Sequence, residues 1–206
     1  MFDVCPKCGA FHEDKIIEPD GPFAICPDCK HPHPFMMQPL FVLTGASGTG
    51  KSTLCLSLLR EPAIIALEVD IFWRQEFATS QDDYYGFRNL CLQVAKNVQQ
   101  NGRPVLLCGS STPGQCEKCV QVRYFSHIHY LALVCDNQAL EARLNARPAW
   151  RDSAKAQFIE AMLAYNQWFK DNRDNPNYDL TLLDTTNLSI VQSIEHIRKW
   201  YLARLS

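Results

Sequence analysis

The sequence lacks a basic surplus. Its 20 lysines and arginines face 22 acids, leaving a net charge of -2. That balance offers no cationic footprint with which to hold a nucleic-acid duplex by its phosphates. Long hydrophobic runs are also missing. Stretches such as Tyr130 to Cys135 fall far short of the roughly 20 apolar residues of a membrane-crossing helix. The opening MFDVCPKCGAF has no basic-then-apolar signal pattern, so a cytoplasmic location is expected. No internal repeat or low-complexity tract is visible. What is present is an ordinary globular composition, 47% hydrophobic and 20% charged over 206 residues. It excludes a disordered chain, a collagen and a coiled coil, and suffices for one full domain plus a small extra unit. In a reducing compartment the ten cysteines read as metal ligands or buried thiols rather than disulfides.

The chain divides into two unequal parts. Residues 1–39 hold four of the ten cysteines and seven of the twelve prolines, and carry a charge of -3. Prolines 32, 34 and 39 read as a stiff linker, which sets the expected domains at 1–38 and 39–206. Beyond them, short apolar runs at 40–44, 63–69, 104–108, 128–135 and 180–184 read as strands buried on both faces. Helical periods separate them: Phe87, Leu90, Cys91, Val94 and Val98, then Phe158, Met162, Tyr165 and Phe169. The last period runs Ile190, Ile194, Ile197, Tyr201 and Leu205, opened by a Ser189–Gln192 capping box. Strand–helix alternation predicts a three-layer α/β fold around a five-stranded parallel sheet.

Two motifs carry chemistry. Gly45-Ala46-Ser47-Gly48-Thr49-Gly50-Lys51-Ser52 fits GxxxxGK[ST], between a predicted strand and a predicted helix. Glycines let successive N–H groups curl around a phosphate, and the helix N-terminus adds partial positive charge. Lys51 is placed to reach the β- and γ-phosphates and Ser52 to ligate Mg²⁺, with Thr53 completing the nucleotide-binding run. Cys5-Pro6-Lys7-Cys8 and Cys26-Pro27-Asp28-Cys29 are two CxxC pairs seventeen residues apart. Four converging thiolates predict a closed, structural Zn²⁺ site, and about forty residues have too little core to fold without one. The acidic balance of this ribbon argues against nucleic acid as its partner. His12, His31 and His33 read as solvated, and Cys116 with Cys119 as helix packing rather than a second zinc.

Residues 40–206 resemble the small P-loop kinases of the P-loop NTPase fold. That group includes nucleoside monophosphate kinases, shikimate and gluconate kinase-like enzymes and the chloramphenicol phosphotransferases. The resemblance rests on the loop 45–52, on Leu67-Glu68-Val69-Asp70-Ile71-Phe72-Trp73 and on Arg143-Leu144-Asn145-Ala146-Arg147-Pro148-Ala149-Trp150-Arg151. It implies ATP with Mg²⁺, Asp70 orienting and deprotonating an acceptor hydroxyl, and Arg143, Arg147 and Arg151 in a lid over the phosphates. It also brings the loop after Asp184-Thr185-Thr186 near the adenine. Strand alternation puts Glu68 on the same face as Asp70, as a candidate holder of magnesium-bound water. No acid ends the strand Val105–Cys108, where many P-loop enzymes carry one; this favours a kinase over a motor. The acceptor is expected between Asp70 and the segment 71–90, where Trp73 is the best candidate to stack on a flat ring. Arg74, Arg88 and Arg123 are open between acceptor-phosphate binding and plain surface. The reading is an ATP-dependent kinase, its small-molecule acceptor a nucleoside or nucleotide. Antibiotic or sugar phosphotransfer is the alternative within the class, and a regulatory NTP-binding module with a partner-docking ribbon the alternative outside it.

Overall fold

The computed structural model describes residues 2–77 and 84–205. Five apolar runs form a parallel sheet from β4 (Leu40–Gly45), β5 (Ile65–Glu68), β6 (Val105–Cys108), β7 (Ile128–Val134) and β8 (Leu180–Asp184), in the order β5-β6-β4-β7-β8. β4 is buried along its whole length because helices cover both faces. Its residues alternate between two cores. Leu40 and Val42 face a cluster with Phe87, Leu92 and Phe169, from α2 (Tyr85–Val98) and α5 (Ala156–Asp171). Phe41 and Leu43 face Leu54, Leu58, Ile197 and Tyr201, from α1 (Lys51–Leu58) and α6 (Ile190–Leu202). The Ser189–Gln192 box caps α6, and a Thr112–Gln115 box opens α3 (Pro113–Glu117). Cys116 and Cys119 are buried in the core, so they pack rather than pair. No helix among the described residues is long and apolar enough to cross a membrane.

The N-terminal residues build an antiparallel sheet from β1 (Ile16–Glu18), β2 (Phe23–Ile25) and β3 (Pro32–Pro34). The prolines at 32 and 34 are therefore strand rather than linker. β3 pairs only with β2, and an edge strand tolerates residues that cannot donate to a ladder. His33 is not solvated either; it stacks on Phe2 at 5.0 Å. His12 does stay at the surface rim, its Nε2 3.1 Å from Asp28.

This small unit is sealed onto the larger one. Phe2, Phe35 and the fully buried Tyr124 meet edge to face. The Tyr124 hydroxyl donates to Glu13 O at 2.8 Å and accepts from Lys15 N at 3.0 Å. Arg123 donates to Asp14 O at 2.9 Å, which answers its open assignment with a structural duty. One face of α2 is gripped as well: Asn89 bonds Glu13, Gln93 bonds Asp3, and the Lys96 ammonium bonds the same Asp3 carboxylate. Asp3 and Lys96 are fully buried, and that burial pulls the Lys96 ammonium below its ordinary value while Asp3 pulls it back. Lys96→Met is therefore expected to cost about 3–5 kcal/mol by stranding the Asp3 charge. Adding Asp3→Asn should recover much of the loss in denaturant unfolding; a near-neutral single variant would contradict the pairing.

Candidate active site

The loop after β4 is built for an anion. Gly45, Gly48 and Gly50 take φ values of +131°, +95° and +106°, which turn the backbone around a hollow. At Gly45 a Cβ would sit 2.3 Å from Leu133 O, so no other residue fits there. No side chain caps the N-terminus of α1, leaving its amides free to face a ligand. The Ser47 amide has turned to a thioether, Met162 Sδ at 3.3 Å, a weak acceptor that a phosphate oxygen would displace. Lys51 Nζ meanwhile donates to the loop's own carbonyls, Gly45 O at 2.8 Å and Ala46 O at 2.9 Å. Thr49 Oγ braces the same Ala46 O at 2.9 Å.

Burial lowers the Lys51 ammonium to about 8, with Asp70 and Glu68 opposing the shift. A bound polyphosphate adds negative charge and favours the protonated form. The sign is then fixed: the free protein loses the Lys51 proton as pH rises through about 8, so nucleotide affinity should fall above that pH. Calorimetric titration with Mg-ATP across the alkaline range checks this, and a flat profile contradicts it.

Asp70 reaches the loop from the next strand but one. β5 ends at Glu68, and residues Val69–Phe72 form a single 3₁₀ turn. The chain leaves the extended conformation at Val69, so the alternation expected to align Glu68 with Asp70 does not apply. Glu68 is half-buried beside Cys108, its register partner on β6, while Asp70 is exposed at the mouth. Both carboxylates still act on Lys51, Asp70 the more strongly. The turn rests on Gly109, where a Cβ would lie 2.0 Å from Val69 Cγ2 and 3.8 Å from Asp70 Oδ1. Gly109→Ala must push this turn aside, and any activity that depends on Asp70 should fall with it while the fold persists. Wild-type turnover in that variant would argue against a fixed Asp70.

Two open cavities are lined by residues of these segments. One, about 320 Å³, lies over Gly48, Gly50, Lys51, Ser52 and Thr53 and is faced by Arg147, Trp150 and Arg151. Partial burial and the like charge of Arg151 press on Arg147, and Asp70 offsets them. The other, about 440 Å³, is lined by Asp70, Trp73, Tyr84, Phe87, Arg88 and Tyr165, among others. Trp73 packs edge-on against Phe87 at 5.0 Å. Arg88 lies over the Phe87 ring and donates to Ser110 O. Arg74 is turned onto the carbonyls of Ile71 and Trp73 and is not among the lining residues. Residues 78–83 of the expected acceptor segment lie outside the described residues.

Arg143 does not line the cavity over the phosphate loop. It donates to Thr185 O at 2.8 Å and Thr186 O at 3.2 Å, tying α4 (Asn137–Asn145) to the end of β8. With Gly50, Thr185, Leu188 and Ile190 it lines a third hollow of about 200 Å³. Of the three arginines, Arg147 and Arg151 line the cavity over the phosphate loop.

Residues 40–170 match the AAA domain family. The chain belongs to that family. The N-terminal unit of this AAA domain protein lies before the matched span. No curated protein matches the chain. Among solved structures, an unliganded sugar kinase from Janibacter sp. HTCC2649 shares the fold at a TM-score of 0.61 and 18% identity, covering 81% of this chain and 95% of that one. A gluconokinase from Sinorhizobium meliloti 1021 gives 0.60 and 14%, covering 82% and 94%. The tunicamycin resistance protein of Deinococcus radiodurans gives 0.54 and 16%, covering 81% and 96%. At such identities the likeness is one of fold: a P-loop NTPase-type α/β sheet with flanking helices.

The four N-terminal cysteines converge. Cys5 and Cys29 sulfurs are 3.6 Å apart, Cys8 and Cys26 sulfurs 3.8 Å, and all four lie within 4.8 Å of one another. Tetrahedral Zn–S bonds of about 2.3 Å require S–S separations of about 3.8 Å, whereas a disulfide needs about 2.05 Å. The two turns repeat one backbone plan, with Gly9 N–H donating to Cys5 O and Lys30 N–H to Cys26 O, both residues at positive φ.

Proposed function

We propose that the protein is an ATP-dependent kinase that transfers the γ-phosphoryl group to a small ring-bearing acceptor, a nucleoside or nucleotide, and that its N-terminal unit is a structural zinc ribbon, with domains at 1–38 and 39–206. The observation that carries the reading is a carboxylate of one cavity acting on cations of the other. Asp70 lines the aromatic cavity and acts electrostatically on Lys51 and Arg147, which line the phosphate-loop cavity.

In this reading the loop amides of 45–53 and Lys51 hold the triphosphate, with its base on the Arg143–Thr185 side. The Ser52 hydroxyl, with Glu68 or Asp70 through water, supplies the oxygen donors that Mg²⁺ prefers. Such an ion would neutralise charge on the phosphates. Asp70 orients the acceptor hydroxyl and takes its proton late in the transfer, and Arg147 and Arg151 neutralise charge on the moving phosphoryl group. Trp73 offers a face to the acceptor ring, and Arg88 offers a cation within the same cavity, which suits an acceptor that already bears a phosphate. The sugar kinase, the gluconokinase and the tunicamycin resistance protein that share this fold keep sugar or antibiotic hydroxyls as the second class of acceptor. Incubation with ATP and a panel of nucleosides, nucleoside monophosphates, sugars and antibiotics tests the reading. ADP formation dependent on one class identifies it. Nucleotide binding without transfer to any acceptor, joined to capture of a partner by the ribbon, would favour a regulatory module instead.

A further inference from the structure

At the N-terminal ends of two neighbouring strands of the parallel sheet, three side chains with metal-binding atoms converge. His127 precedes β7 and His129 is its second residue; a spacing of two puts both on one face of the strand. Asp179 precedes β8, and its carbonyl accepts the Tyr130 N–H at 2.9 Å, so the sheet itself sets the positions of all three. The imidazole rings lie 4.5 Å apart, centroid to centroid. Asp179 Oδ2 is 3.6 Å from His127 Nε2 and hydrogen-bonded to His129 Nδ1, and the three ligand atoms lie within 4.8 Å of one another.

The surroundings orient this set. Arg204 donates to the other Asp179 oxygen, Oδ1, at 3.4 Å, and to Thr181 Oγ1 at 3.2 Å, which leaves Oδ2 facing the imidazoles. The His129 ring stacks on Phe41 at 5.3 Å, and Phe41 meets Trp200 edge-on, forming an apolar wall behind the site. His127 stands on the open side, its side chain 57% exposed. Bonds of about 2.0–2.2 Å to nitrogen and oxygen place tetrahedral ligand atoms about 3.3–3.6 Å apart. The His127–Asp179 separation already matches, and a bound ion would take the place of the His129–Asp179 hydrogen bond.

We propose that His127, His129 and Asp179 bind one divalent transition-metal ion, of the zinc or nickel class, with a coordination position open to solvent. Two imidazoles and a carboxylate favour such borderline ions over Mg²⁺ or Ca²⁺, which want oxygen alone. The site is independent of phosphoryl transfer. His129 is in register with Phe41, four residues or about 13 Å along the strand from Gly45, at the strand ends remote from the phosphate loop. The ion would pin the start of β7 to the start of β8, and through Arg204 to the chain end after α6.

Zn²⁺ titration of the full chain by calorimetry, alongside metal analysis of the starting protein, tests the proposal. The readout is the equivalent of zinc that depends on His127, whatever the cysteine site already holds. His127→Ala, an exposed position, and His127→Gln should each weaken that equivalent at least about tenfold. Both should leave thermal unfolding in chelator unchanged, and added zinc should raise the midpoint of the wild type more than that of either variant. Equal zinc affinity in the wild type and both variants, or no additional equivalent at millimolar zinc, would overturn the site.

Discussion

Asp70→Asn is expected to lower phosphoryl transfer by about two to four orders of magnitude while leaving ATP affinity nearly intact. The asymmetry follows from where the side chain stands. Asp70 lines the aromatic cavity, whereas the groups proposed to grip the triphosphate, the loop amides, Lys51 and two arginines, line the other one. Asparagine keeps the shape and one acceptor oxygen but loses the negative charge and the capacity to take a proton. Removing a carboxylate that acts on Lys51 and Arg147 does not weaken attraction for an anion, so ATP binding should hold or tighten slightly. Turnover with the acceptor found in the panel, set beside calorimetric ATP affinity, separates the two effects. A variant that turns over as fast as the wild type would remove Asp70 from the mechanism, and a parallel loss of ATP binding would make it a nucleotide ligand instead.

Stripping the metal from the cysteine site should have the second large effect. Coupled zinc binding and folding is worth on the order of 10–16 kcal/mol in small cysteine modules. Without it, residues 2–39 hold only a small cluster around Phe2, Ala24 and Phe35, which leans on Tyr124. The consequence reaches the acceptor side, because the α2 face bonded through Asn89, Gln93 and Lys96 belongs to the helix that also presents Phe87 and Arg88 to the aromatic cavity. Strong chelation, or Cys26→Ser, should unfold the ribbon and raise the acceptor KM several-fold more than the ATP KM. Circular dichroism, zinc content and the two KM values check this together. A protein that purifies without zinc and is indifferent to chelator would refute the structural-metal assignment.

The phosphate loop was legible because its function demands fixed spacing: glycines where φ turns positive, lysine at the helix start. The strands were legible because a sheet covered on both faces leaves little room for polar residues. The cysteine pairs announced themselves by equal CxxC turns. Other features had no local signal. Asp3 and Lys96 are 93 residues apart, and neither looks destined for burial. The prolines of β3 suggested a linker, because proline's restriction says nothing about a strand that needs only one paired edge. Glu68 and Asp70 were expected to share a face; one turn of 3₁₀ helix separated them. Arg143 sits four residues before Arg147 and looks equivalent in sequence, yet the end of β8 claims it.

That latch divides the basic segment mechanically. With Arg143 anchored to Thr185 and Thr186, the stretch from Pro148 onward is what remains to swing, and Trp150 at 77% exposure rides on it with its ring under the Arg151 guanidinium. An indole that stands in water when the cleft is open is a built-in optical label. In the proposed reading, closure over a nucleotide would dry it and shift its emission toward the blue, and a variant in which the other three tryptophans are replaced would let a stopped-flow cuvette time that step without an attached dye.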